Sequence, residues 1–275
     1  MSLPGSVAWL LVLAACSSAT PSAPVEAAAS AAPAPAAVAT AAGSGPELLV
    51  AALGTRPAQP TIVPRYSVVL VADHCVDRDL PAPPVAEPVL AVLDRTYALA
   101  ADDVPSDLVE AATAGLDGAS GLKLVREVVA NDLGDMHAAW RSAGMMIVVE
   151  SAYRSHAEQA ATFDGWAARI GEAGALLRTA RPGHSEHQLG TAIDVTSPGW
   201  SGRFGDWAVD SAEGAWMAAH AWEYGFVMSY PADGQDETCY GYEPWHYRWI
   251  GRDAAADQRA TGLPLRRFLE RYVGS

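Results

Sequence analysis

The sequence predicts an α+β fold, in which a mainly antiparallel central sheet is flanked by helices within one domain of roughly 200 residues. Three observations carry this. Runs suited to buried strands, such as MMIVVE at 145–150 and FVMSYP at 226–231, are interspersed with stretches of helical periodicity. Their spacing does not repeat as regular βαβ units, and no internal repeat is visible, so nothing calls for a parallel sheet. The first 60 or so residues are too poor in bulky side chains to join any core, which leaves 61–275 as the folded part.

The elements follow in order. The segment YSVVLVADHC, 66–75, reads as a strand near the start of the domain, and a Pro-rich turn spans 81–88. From 123 to 140, Val125, Val129, Leu133, Met136 and Trp140 recur at helical spacing, and Gly144 supplies a stop. The strand at 145–150 comes next. Ser155 and Glu158 then form a capping box that opens a helix with Phe163, Trp166 and Ile170 on one face. Tyr153 and Arg154 therefore sit at a strand-to-helix junction. A helix over 211–224 ends at Gly225, and the strand that follows it stops at Pro231. YEPWHYRWI, 242–250, is a further strand, and a helix over 253–272 closes the chain.

The N-terminal fifth has a different character. Residues 1–15 contain an apolar run, 7–15, too short to span a bilayer and placed where a secretory signal belongs. Residues 16–60 are dominated by Ala, Pro, Ser, Thr and Val, the composition of a linker. Leu13, Ala14, Ala15 and Cys16 resemble the lipobox of bacterial lipoproteins, and that resemblance implies lipidation of Cys16 and a membrane anchor. The alternative is a plain secreted protein. Either way the chain is expected to be exported to the cell envelope or periplasm. Setting Cys16 aside leaves Cys75 and Cys239, an even number in an oxidising compartment, so a disulfide between them is expected. The chain carries 32 Asp and Glu against 18 Lys and Arg, a formal net charge of −14, which excludes nucleic acid as a natural partner. A monomer is expected.

Three separated patches carry chemistry: SAYRSHAEQ at 151–159, RPGHSEHQLGTAIDV at 181–195 and YEPWHYRWIG at 242–251. A catalytic zinc site needs three protein ligands and one open position, and neutral imidazole with carboxylate oxygen are the right donors. His187, Asp194 and His246 meet that need, and Glu243 is the obvious general base. On a regular strand, positions i and i+3 face opposite sides, so a bulge or break at Glu243 and Pro244 is predicted to bring Glu243 and His246 to one pocket. Taken singly, each residue has a bland alternative: His187 as a core histidine, Asp194 as a cap, Arg154 as a surface cation. Their co-occurrence is what argues for function.

These patches resemble those of the VanY-type D-alanyl-D-alanine carboxypeptidases and of the wider zinc superfamily that includes D-Ala-D-Ala dipeptidases and hedgehog-like domains. The resemblance covers about 87–251, including the upstream stretch LDRTYALAADDVPSDLV. It implies a fold of that superfamily, one zinc ion per chain on His187, Asp194 and His246, and Glu243 as base. It further implies that Arg154 binds the substrate carboxylate or the developing oxyanion and that Gln159 and Ser185 help to hold the peptide. The implied substrate is the peptide stem of peptidoglycan, trimmed by a D,D-carboxypeptidase. An L,D-carboxypeptidase or an endopeptidase on the same scaffold is the alternative. A zinc-containing module that binds without hydrolysing is a third reading, against which an intact Glu243 stands.

Other residues draw attention. His184 is expected to line the pocket or to make an outer bond, and His220 to be partly buried on its helix. Trp245, Tyr247 and Trp249 alternate on the last strand and are mostly core, with Trp245 or Tyr247 flanking the groove. Relatives often carry an Arg before the Tyr-Pro that this chain shows as Tyr230 and Pro231; here Ser229 stands there, which implies that a substrate-facing positive charge is missing.

Overall fold

The computed structural model describes residues 75–111, 123–200 and 206–274. The export signal, Cys16, the linker and all but the last residue of the strand expected at 66–75 lie outside the described residues. Among the described residues no helix is long and apolar enough to cross a membrane.

Two small sheets precede the main one. Strands β1 (Leu80–Pro81) and β2 (Tyr97–Ala98) pair in parallel, and β3 (Leu108–Glu110) and β4 (Leu124–Arg126) pair antiparallel. Helix α1 (Glu127–Ser142) leads into β5 (Val148–Ser151), followed by α2 (His156–Ile170), the short α3 (Glu172–Ala175) and a 3-10 turn, Glu186–Leu189. Strand β6 (Ala192–Thr196) precedes α4 (Trp207–Asp210), α5 (Ala212–His220) and β7 (Phe226–Met228). A single turn, α6 (Gln235–Thr238), comes before β8 (His246–Trp249), and α7 (Arg252–Thr261) and α8 (Leu265–Leu269) end the chain. The central sheet runs β5-β6-β8-β7 with every neighbouring pair antiparallel, as the sequence predicts.

One face of this sheet makes the core. Val129, Leu133, Met136 and Trp140, spaced along α1 at helical intervals, are all fully buried against Ile193, Val195, Phe226, Tyr247 and Trp249. Each large apolar side chain buried there contributes roughly 1.5–3 kcal/mol. Because side chains alternate along a strand, burying Ile193, Val195, Tyr247 and Trp249 turns Asp194, His246 and Arg248 to the opposite face. The register sets Asp194 directly across from His246. The hydrophobic pattern that builds the core thus also delivers the polar residues to one surface.

Three expectations about helices are corrected. The helix read from 123 begins only at Glu127, and Val125, at the head of its stripe, lies on β4. The C-terminal helix is not continuous over 253–272: Gly262 ends α7 at φ +65, and Pro264, with no N–H to donate, starts α8 after a break. The face of α2 carrying Phe163, Trp166 and Ile170 is not core. Ile170 is 44% exposed, and the only fully buried side chain on α2 is Gln159. Trp166 instead borders the cavity described below.

The expected disulfide is present, Cys75 to Cys239, with Cα atoms 5.4 Å apart across a separation of 164 residues. It fixes the start of the described chain to the segment that leads into Glu243.

Candidate metal centre and catalytic cavity

Three local structures position the three patches. First, Ser155 closes a capping box with Glu158, its hydroxyl accepting from the Glu158 N–H while the Glu158 carboxylate accepts from the Ser155 N–H. This fixes the start of α2 and with it Arg154. Second, the 3-10 turn that carries His187 is capped by the Ser185 hydroxyl, which accepts from the His187 N–H at 3.3 Å. The turn ends at Gly190 with φ +72. A Cβ there would lie 2.9 Å from the Arg126 side chain, so only glycine lets the chain swing from His187 into β6. Third, β8 begins only at His246. Glu243 to His246 form a turn in which the His246 N–H donates to the Glu243 carbonyl at 3.1 Å. This is the break predicted at Glu243 and Pro244, and it lets both side chains border one cavity.

That cavity has a volume of about 760 Å3 and is bordered by Arg154, Ser185, His187, Asp194, Glu243 and His246, with Tyr230, Tyr242, Trp245 and Trp166 among its other walls. Arg154 donates to the Gln159 carboxamide oxygen at 2.9 Å and to the Ser151 hydroxyl at 2.9 Å, and lies 3.8 Å from the Asp194 carboxylate. Gln159 itself does not border the cavity. It is fully buried, and its nitrogen donates to the Thr179 hydroxyl at 3.1 Å and the Ala180 carbonyl at 2.6 Å. The structure therefore brings Arg154 and Ser185 to the cavity and leaves Gln159 behind Arg154, where it supports the guanidinium.

The donor set fits a metal ion. One ligand atom from each of His187, Asp194 and His246 lies within 4.8 Å of the other two. The Nδ1 of His187 faces the Ala152 carbonyl at 2.6 Å and must carry the hydrogen, so Nε2 is the free donor, 3.2 Å from Asp194 Oδ2. His246 is arranged in the reverse sense: Nδ1 lies 3.0 Å from Asp194 Oδ1, and Nε2 lies 2.9 Å from Glu186 Oε2. Two imidazoles and a carboxylate converge beside a cavity that leaves room for a further position, the pattern of a catalytic zinc site.

The electrostatics favour positive charge at this point. Burial by itself would lower the His246 pKa, but its bonds to Asp194 and Glu186 raise it to about 10. His187 is lowered, by burial above all. Burial opposes ionisation of Asp194 and Glu186. His187 and His246 nevertheless hold Asp194 below the usual carboxylate range, and Arg248 with His246 brings Glu186 down to about 2. Glu243 differs. Its enclosure in the cavity wall pushes it up to about 8, with His246 pulling it down and Asp194 and Glu186 pushing it further up.

The VanY family profile, described as D-alanyl-D-alanine carboxypeptidase, matches residues 122–252, and the chain is 33% identical over 186 residues to the putative carboxypeptidase YodJ of Bacillus subtilis. That alignment spans 67% of this chain and 68% of the relative. The chain belongs to the VanY family. Its fold agrees: the LdcB LD-carboxypeptidase superposes with a TM-score of 0.59 at 30% identity, over 69% of this chain and 94% of that one. A mutant of the vancomycin resistance D,D-pentapeptidase VanY in complex with Zn(II) superposes with a TM-score of 0.56 at 27% identity, over 66% and 99%. Membership in the VanY family makes the chain a metallocarboxypeptidase, an enzyme of a zinc-dependent peptidase family.

Several expectations need revision. His184 neither borders the cavity nor meets the three ligand candidates. It is 1% exposed and bonds the Asp94 carbonyl at 2.6 Å and Asp79 at 3.0 Å, which ties the segment after Cys75 to the loop before His187. Ser229 is 3% exposed and its hydroxyl donates to Glu186, so position 229 does not face the substrate as the family comparison implied. Of the aromatic residues on the last strand, Trp245 borders the cavity, while Tyr247 and Trp249 are core. His220 is partly exposed beside Glu223, as expected.

Sequence reasoning missed Glu186, Arg248 and Tyr230. A signal for Arg248 was present: His246 and Arg248 are two apart on a strand and must share a face, so a buried anion was needed, although nothing in the sequence named Glu186 as that anion. Tyr230 is signalled by nothing comparable. Its ring lies 5.0 Å from that of His246, and it borders the cavity.

Proposed function

We propose that this protein is an exported, lipid-anchored enzyme of the cell envelope that removes the C-terminal D-alanine from peptidoglycan peptide stems. In this reading 1–15 is a lipoprotein-type signal, Cys16 the anchor, 16–60 a tether and 61–275 the catalytic domain, acting as a monomer with one zinc ion. The observation that carries the reading is the convergence of His187, Asp194, His246, Glu243 and Arg154 on one cavity. Export is supported by the disulfide.

The residues divide the work as follows. His187 Nε2, an Asp194 carboxylate oxygen and His246 Nδ1 would hold zinc. A zinc ion bound there would supply Lewis acidity to the scissile carbonyl and favour the ionised forms of a water and of Glu243. Glu243 accepts the proton of the attacking water at its carboxylate and returns it to the leaving amine of D-alanine. Arg154, held by Gln159 and Ser151, presents its remaining N–H groups to the substrate's terminal carboxylate or to the oxyanion. The Ser185 hydroxyl accepts from the His187 N–H and keeps its own hydrogen to donate to the peptide.

A second reading, L,D-carboxypeptidase activity, is favoured by the likeness to the LdcB LD-carboxypeptidase, which extends over 94% of that chain. Defined muropeptides separate the two. Loss of one D-alanine from a pentapeptide stem, followed by mass spectrometry and blocked by a chelator, supports D,D activity. Release of the fourth residue from a tetrapeptide stem supports the second reading instead, and internal cleavage contradicts both.

A further inference from the structure

Behind the ligand candidates lies a buried cluster that the proposed mechanism does not use. Glu186 is 5% exposed, yet each of its oxygens has a partner. Oε2 meets His246 Nε2 at 2.9 Å and the Ser229 hydroxyl at 2.5 Å, and Oε1 accepts from Arg248 Nη1 at 2.8 Å. Arg248 is fully buried and is itself held in place, with Nη2 donating to the carbonyls of Val89 and Ala91 at 2.8 and 2.7 Å. The line Arg248, Glu186, His246, Asp194 is therefore a continuous chain of hydrogen-bonded side chains anchored at one end to backbone. A buried ion pair gives little stability over an apolar pair of similar volume, so its presence beside a ligand candidate calls for another explanation.

We propose that Glu186 is a positioning residue for His246. By accepting the Nε2 hydrogen it fixes the tautomer in which Nδ1 is bare, holds the ring in the plane that aims Nδ1 at the Asp194 side of the cavity, and raises the basicity of that nitrogen. Arg248 and Ser229 serve this through Glu186. Arg248 supplies the charge that keeps the carboxylate ionised inside the protein, and Ser229 steers Oε2. In this chain position 229 is thus part of the metal centre's outer support, not of peptide recognition. The inference rests on the proposed metal centre and adds to it why the first of the two carboxyl residues near His246, 186 rather than 243, lies in the same turn as His187: one short segment supplies a ligand and the residue that orients a second.

Two measurements test it, neither of which depends on turnover. In the zinc-loaded wild-type protein with 15N-labelled histidine, long-range 1H–15N correlation spectra are expected to show His246 bound through Nδ1 with a hydrogen on Nε2, and His187 the reverse. Binding of His246 through Nε2 overturns the proposal, whereas absence of zinc from both histidines overturns the metal-centre reading itself. The second measurement is zinc affinity by competition with a chromogenic chelator. Glu186→Gln leaves Arg248 buried without its anion, so it is paired with Glu186→Gln/Arg248→Met, which removes both charges together. Zinc affinity is expected to fall about 10- to 100-fold in the double variant while its melting temperature without zinc stays close to that of the wild type. Wild-type affinity in the double variant overturns the proposal.

Discussion

Gln159→Leu separates two roles for one residue. The carboxamide is fully buried and makes three hydrogen bonds, to Arg154, Thr179 and Ala180. The bond to Arg154 involves a charged donor, for which about 1.5–3 kcal/mol is typical. If its whole effect is to hold the guanidinium, leucine at this position lowers kcat/KM by about 10- to 100-fold, at 1.4 kcal/mol per decade. The Ala180 carbonyl left unpaired costs a further 1–3 kcal/mol or so of stability. Zinc affinity is expected to be unchanged, since Gln159 touches none of the ligand candidates. The decisive assay is a double-mutant cycle on a pentapeptide stem with Arg154→Ala. Acting through Arg154, Gln159→Leu adds little in the Arg154→Ala background. Full multiplication of the two effects would show that Gln159 contacts the peptide directly and would refute the reasoning.

The remaining expectations are briefer. Glu243→Gln should lower kcat by about 10²- to 10⁴-fold, the usual worth of general acid–base catalysis, with zinc content unchanged by metal analysis; a loss of zinc in that variant would make Glu243 a ligand instead. In the chelator-treated protein, Glu186 contributes stability above its unfolded pKa of 4.5 that is lost as pH falls through about 2, because its folded pKa is depressed. His246 contributes stability below 6.5 that is lost as pH rises through about 10, and Glu243, raised from 4.5 to about 8, loses stability in the same direction. On these three groups the melting temperature should therefore peak near pH 4.5, fall as Glu243 loses its contribution between 4.5 and about 8, and fall further as His246 loses its own between 6.5 and about 10; added zinc should lift that alkaline limb by displacing the His246 proton. A flat alkaline limb without zinc counts against this. Reducing Cys75–Cys239, which closes a loop of 164 residues, should cost about 5 kcal/mol in urea unfolding on the chain-entropy estimate; a midpoint unmoved by reductant contradicts it.

The sequence made the core and the ligand candidates legible for the same reason: both follow from strict periodicity. The α1 stripe from Val129 to Trp140 reads at helical spacing, and strand alternation separates Asp194 from Ile193 and Val195 without any tertiary information. The turn at Glu243 could be inferred because Pro244 forbids a regular strand there. What was hidden depends on long-range pairing. Nothing local distinguishes Glu186 from an exposed glutamate, and only the approach of Arg248 and Ser229, 62 and 43 residues away in sequence, makes it a buried anion. Gln159 and Ser229 were misplaced for a related reason. Their residue types suit a peptide-binding surface, but the packing of the chain around Thr179 and Glu186 turns both inward. The face of α2 with Trp166 shows the converse: Phe163, Trp166 and Ile170 all stay out of the core, and Trp166 alone of the three borders the cavity.

The central claim is that one zinc ion sits among His187, Asp194 and His246. Anomalous diffraction from crystals of the zinc-loaded protein, collected above and below the zinc edge, tests it most directly. The account predicts one peak, bonded to His187 Nε2, an Asp194 oxygen and His246 Nδ1, with Glu243 nearby but not bonded. A peak elsewhere, or none in a protein that still trims peptide stems after chelation, would contradict it.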